Sequence, residues 1–139
     1  MTQAVRAVAG ICLAFLAGCS TVPQEVELYN NTPATVALKG CGTDEVIDPG
    51  VAADIPALCR SPVEIASGAS RWRYASLWRA WSTRSLRENG TRTASGLYLL
   101  KLQLEPDGSI IVLPRGSDFP AAGISRQPPE FPFRPDPSR

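Results

Sequence analysis

Residues 97–113 constrain the fold more than any other part of the chain. Leu97 to Leu104 (LYLLKLQL) form an eight-residue run in which Lys101 points to the opposite side from Leu100 and Leu102. Glu105-Pro106-Asp107-Gly108 is a tight turn, and Ser109 to Leu113 (SIIVL) is an apolar return. Strand residues on both sides of an Asp-Gly turn predict an antiparallel β-hairpin.

The rest of the chain repeats this pattern in shorter pieces. Val26-Glu27-Leu28, Thr35 to Lys39 and Val63 to Ala66 alternate with period two, and Glu45-Val46-Ile47 is a short apolar piece. Alternation with β-branched residues predicts half-buried strands. The cluster Tyr29-Asn30-Asn31-Thr32-Pro33 predicts a hairpin or tight connection, and Gly40-Cys41-Gly42 a corner. In Asp48-Pro49-Gly50 the proline presets φ and the glycine accepts a positive φ, so a turn is expected there. Turns every 8–12 residues suggest a small antiparallel β-sandwich or barrel-like domain over 26–113.

Residues 71–88 (RWRYASLWRAWSTRSLRE) carry two patterns at once. Trp72 and Tyr74 alternate with Arg71 and Arg73, as on a strand with an aromatic face. Tyr74, Leu77, Trp78 and Trp81 fall at i, i+3, i+4 and i+7, as on an amphipathic helix. The expectation is a strand to about residue 75, followed by a short helix or an irregular crossover. Asn89-Gly90 has the composition of a type I′ turn. From Pro114 the character changes, because seven of the 26 residues 114–139 are proline. That composition predicts an extended tail, with Phe119, Phe131 and Phe133 as candidate points of attachment.

The N-terminus is of another kind. Arg6 precedes an uncharged apolar run, residues 7–18 (AVAGICLAFLAG), that closes on Leu16-Ala17-Gly18-Cys19. Twelve residues are too few to cross a bilayer as a helix, which takes about 20. They fit the apolar part of a secretory signal. The box LAGC in this position resembles the lipobox of bacterial lipoproteins, and the chain as a whole resembles small lipoproteins of the Gram-negative outer membrane. The resemblance implies that residues 1–18 are a signal peptide and that Cys19 becomes the acylated first residue of the mature chain. Residues 19–25 would then form a tether. Ser20 stands where an Asp in such lipoproteins signals inner-membrane retention, which implies the outer membrane, with the domain facing the periplasm.

That processing removes Cys12 with the signal and commits Cys19 to lipid, leaving Cys41 and Cys59. In an oxidising compartment the two are expected to pair. The loop so closed contributes about 3 kcal/mol in the chain-entropy model. A metal site is the weaker reading, since the chain has no His and two thiols do not complete a zinc shell.

The mature part, 19–139, carries 13 basic and 13 acidic side chains. Its zero net charge argues against nucleic acid as a partner. Without histidine there is no Ser-His or Cys-His nucleophile and no imidazole base. The chain has only two lysines, Lys39 and Lys101, for a Ser-Lys dyad. No phosphate loop or dinucleotide fingerprint is present. The expectation is no enzyme, no cofactor and no metal. Asp44, Glu45, Asp48 and Asp54 lack calcium-loop spacing and read as solvated turn residues.

Charge is distributed unevenly. Residues 19–70 hold seven acidic and two basic side chains, and residues 71–101 hold seven basic and one acidic. The basic segment either packs against the acidic half or presents a surface to an anionic envelope component or an acidic protein. On the second reading the contact residues are Trp72, Arg73, Trp78, Arg79 and Trp81. The function expected is that of a lipid-anchored envelope protein with a structural or binding role. The alternative is a periplasm-facing carrier of a small or anionic ligand.

Overall fold

The structure, a computed structural model, describes residues 24–56, 61–75, 87–129 and 131–137. The proposed signal, Cys19, Cys59 and the segment with Trp78, Arg79 and Trp81 lie outside these residues. Among the described residues there are nine strands: β1 Gln24–Asn30, β2 Val36–Gly40, β3 Thr43–Ile47, β4 Ala52–Ile55, β5 Val63–Ser67, β6 Ser70–Tyr74, β7 Thr91–Arg92, β8 Tyr98–Leu104 and β9 Ile110–Val112.

The fold is mainly β. The strands form two sheets that do not close into a barrel, consistent with a small sandwich. One sheet runs β4-β1-β8-β7, with β9 also on β8; the other runs β3-β2-β5-β6. Most neighbours are antiparallel, but β1 and β8 pair in parallel, from Gln24 opposite Tyr98 to Asn30 opposite Leu104. Alternation sorts the side chains. Val26 and Leu28 of β1, Val36 and Leu38 of β2, Val63 and Ile65 of β5, and Leu100, Leu102 and Leu104 of β8 are buried in a single core. Burial of that apolar surface, at about 25 cal/mol per Å², is the main favourable term holding the two layers together.

The hairpin over 97–113 forms as its sequence predicts, with Glu105 and Ser109 closing the turn and Leu104 opposite Ile110. The Asn-Pro cluster is a corner rather than a hairpin, because it carries the chain from β1 in one sheet to β2 in the other. Asn30 organises that corner. Its Nδ2 donates to the carbonyls of Ala34 and Ile47, both at 2.9 Å. Its Oδ1 accepts from the Thr32 amide at 2.9 Å and the Thr32 hydroxyl at 2.7 Å. Asn30 is fully buried and its side chain is fully bonded. The Asp48-Pro49-Gly50 turn likewise crosses between sheets, from β3 to β4. The tight β2–β3 hairpin instead turns on Cys41 and Gly42, both at positive φ (53° and 72°), as a type I′ turn requires. Residues 87–89 form one helical turn. Neither Asn89 nor Gly90 has the positive φ of a type I′ turn.

The proline-rich tail is docked on the domain. Phe119 stacks on Tyr29, with ring centroids 4.8 Å apart and planes within 8°. Lys101 donates to the Ser117 carbonyl and to Asp118, at 3.2 and 3.1 Å. Gln103 exchanges two hydrogen bonds with the Ala121 backbone, each 2.9 Å. Tyr29, Lys101 and Gln103 lie on the outer side of the first sheet, so this stretch covers part of that surface and buries Gln103 completely. Further on, the side-chain amide of Gln127 exchanges two 2.9 Å bonds with the Val112 backbone. Phe133 pairs with Ile110 through both backbone groups. The free edge of β9 is thereby satisfied by the chain's own end, which protects it from pairing with another chain.

Candidate functional site

Strand β6 (SRWRY) carries the two described members of the expected contact group, Trp72 and Arg73. Successive side chains of a strand point to opposite faces, and the structure follows this rule here. Trp72 is half-buried and packs against the core beside Tyr74. Arg73 is exposed on the other face. Trp72 and Arg73 therefore do not share one surface.

The inner side of β6 meets the β8–β9 turn. Gly108 has φ +82°, and a Cβ there would come within 2.6 Å of the Trp72 indole Nε1. Only glycine lets the turn adopt this backbone and the indole lie over it. The Tyr74 hydroxyl donates to the Gly108 carbonyl at 2.6 Å. Burial pushes the Tyr74 phenol well above its ordinary pKa of 10.0, and the nearby Asp107 carboxylate adds to the effect. Asp107 itself is held below the usual carboxylate value. The main cause is the Ser109 hydroxyl, which donates to it at 2.6 Å; the Ser109 amide, at 2.9 Å, adds to this, and Arg134 contributes attraction. The contacts of Trp72, Tyr74, Asp107 and Ser109 secure the turn and β6 across the sheets.

The outer side of β6 meets acidic side chains of its neighbour. Arg71 Nη1 lies 3.0 Å from Glu64 Oε1, and Arg73 is opposite Glu64 in the register of β5 and β6. Arg71 thus pairs with an acidic residue of the neighbouring strand, and both arginines remain exposed. The Arg73 carbonyl accepts from the Asp136 amide of the tail.

The remaining candidates are dispersed. Asp44 and Glu45 point to opposite sides of β3, Asp48 accepts from the Thr35 hydroxyl at 2.8 Å, and Asp54 belongs to the other sheet. Among the described residues no three His, Cys, Asp or Glu side chains gather as metal ligands would. Nor is any helix among them long and apolar enough to cross a membrane. Lys101 is engaged by the tail and lies 5.5 Å from the centre of the Phe119 ring. Cys41 Sγ is 3.7 Å from the Ser61 carbonyl oxygen, two residues beyond Cys59.

Sequence reasoning missed Asn30, Gln103 and Gln127 as organising residues. Gln103 left a trace, as a polar residue within an otherwise apolar strand. Gln127 left none, because its partner is a backbone edge that no local pattern reveals. No family model matches this chain, and no curated protein or solved structure shows significant similarity to it.

Proposed function

We propose that this chain is a lipid-anchored protein of the bacterial envelope, attached to the outer membrane through Cys19, facing the periplasm, with a structural or binding role and no catalysis. The observation that carries the reading is the box Leu16-Ala17-Gly18-Cys19 at the end of an uncharged apolar run. Each acyl CH₂ buried in the bilayer contributes about 0.8 kcal/mol, and two or more chains give a stable anchor. The first strand, β1, starts at Gln24. Five Cα steps from Cys19 reach at most about 19 Å, so a lipid on Cys19 holds the sheet close to the bilayer.

The Cys41–Cys59 disulfide belongs to this proposal. It is supported by the approach of Cys41 to Ser61, near Cys59 in sequence. A bond here would tie the β2–β3 turn to the segment leading into β5.

Labelled palmitate and mass spectrometry test the anchor. The wild-type chain is expected to incorporate label, partition with the outer membrane and lose residues 1–18. Cys19→Ala is expected to do none of these. Label in Cys19→Ala, or an uncut and unlabelled wild-type chain in the membrane, would overturn the proposal.

A further inference from the structure

The outer face of the β3-β2-β5-β6 sheet carries an ordered charge pattern. Cross-strand register puts Asp44 beside Lys39, Lys39 beside Glu64, and Glu64 beside Arg73. One row across four strands therefore reads minus, plus, minus, plus. The next row reads Val46, Ala37, Ala66, Arg71 by the same registers. Asp44, Lys39, Arg71 and Arg73 are exposed, and Val46 is 65% exposed, the largest value among the bulky apolar side chains of the described residues. Ala37, Ala66 and Glu64 are half-buried, and the two alanines leave the middle of the face shallow.

We infer that this face is a self-complementary docking surface for a second copy of the same chain. A twofold contact sets one patch against itself, and the charge order selects the axis. With the axis along the strands, between β2 and β5, the row meets its own reverse. Asp44 then faces Arg73 of the second copy, Lys39 faces Glu64, Ala37 faces Ala66, and Val46 faces Arg71, whose guanidinium is paired with Glu64 of its own copy. With the axis across the strands and along this row, Asp44 would face Asp44 and Lys39 would face Lys39, a repulsive arrangement. The same pattern is not complementary to a surface of uniform charge, such as an anionic bilayer.

Size sets the strength. Four strands about 4.8 Å apart and five residues of about 3.4 Å each cover roughly 19 by 17 Å. That is less than the roughly 800 Å² per partner of a standard interface, so the contact belongs to the weak, transient class. This inference goes beyond the envelope reading and does not depend on the lipid.

The test is energy transfer between donor- and acceptor-labelled copies of the full chain in detergent, across a concentration series. Wild type is expected to associate reversibly. Lys39→Glu alone and Glu64→Lys alone each place like charges opposite each other in the dimer, and each is expected to weaken association by about tenfold or more. Mixed together they face each other with opposite charges, so the mixture is expected to recover association. Interactions within each copy are the same alone and mixed, so that recovery can come only from the contact between copies. Ala37→Arg, at the close approach of the two alanines, provides a second block and is also expected to lose association. Monomers at every wild-type concentration, single variants that associate like wild type, or a mixture no better than its parts would each overturn the proposal. A face that serves another partner gives the first of these results.

Discussion

Replacing Asn30 by Ala tests whether one side chain holds the corner between the two sheets. The substitution removes four hydrogen bonds at a site with no exposure to water. The Thr32 hydroxyl, 2.9 Å from the Ala34 carbonyl, can turn to that acceptor instead. Two bonds are then lost without replacement, to the Thr32 amide and the Ile47 carbonyl. A stranded buried group costs about 1–3 kcal/mol and a net hydrogen bond about 1 kcal/mol, so the expected loss is about 3 kcal/mol. Against a total of roughly 5–15 kcal/mol for a small domain, this is a large fraction. Urea denaturation followed by circular dichroism should show the midpoint falling with little change in slope. Asn30→Asp is the sharper probe, since it keeps the shape and both acceptor functions. It sets a carboxyl oxygen against the Ala34 and Ile47 carbonyls, where only the protonated form fits. Its folded pKa is thereby raised, so stability is retained below the unfolded value of about 4 and lost as pH rises. A loss under 1 kcal/mol for Asn30→Ala, or a pH-independent Asn30→Asp, would show that the corner is held by something else.

Three further outcomes follow from the same geometry. Gly108→Ala forces a methyl onto the Trp72 indole at a backbone conformation with positive φ, so a loss of at least about 2 kcal/mol is expected, with a changed tryptophan emission; a neutral result would mean the turn is not in contact with Trp72. Tyr74 has a raised pKa, so its contribution is fully present below about pH 10 and lost as pH rises further; Tyr74→Phe should cost about 1 kcal/mol at neutral pH and blunt the alkaline loss, and an unchanged alkaline midpoint would refute the assignment. Cys41→Ser should lower stability by about 3 kcal/mol, matching the effect of reductant on wild type, and equal melting temperatures with and without reductant would refute the disulfide.

What the sequence made legible was local. The hairpin over 97–113 could be read because its alternation and its Pro-Asp-Gly turn belong to one continuous stretch. The two-layer β architecture followed from the spacing of turns. The opposite facing of Trp72 and Arg73 was also implicit in the alternation of RWRY, although grouping them by residue type obscured it. What could not be read was the pairing of distant segments. Nothing in Gln24–Asn30 marks Tyr98–Leu104 as its parallel neighbour. Nothing near Gln127 announces that its amide will complete an edge at Val112. The Asn-rich cluster was recognised as a turn, but only the tertiary structure shows that it joins layers rather than adjacent strands.

The parallel pairing of β1 with β8 has a consequence for the order in which the molecule can be built. Gln24 meets Tyr98, so the first strand waits for some seventy residues of chain before its inner neighbour exists. Until then β1 can pair only with β4, through the Asp48-Pro49-Gly50 crossing, while the β3-β2-β5-β6 sheet can already assemble from local hairpins. Non-local contacts of this kind slow folding, because loop closure must precede the contacts that reward it. The sheet whose strands all lie before residue 75 can form early, and the sheet that contains both the first strand and β8 must form last. A chain interrupted before residue 98 therefore leaves β1 with an open inner edge, and one interrupted before residue 133 leaves Ile110 without its Phe133 partner.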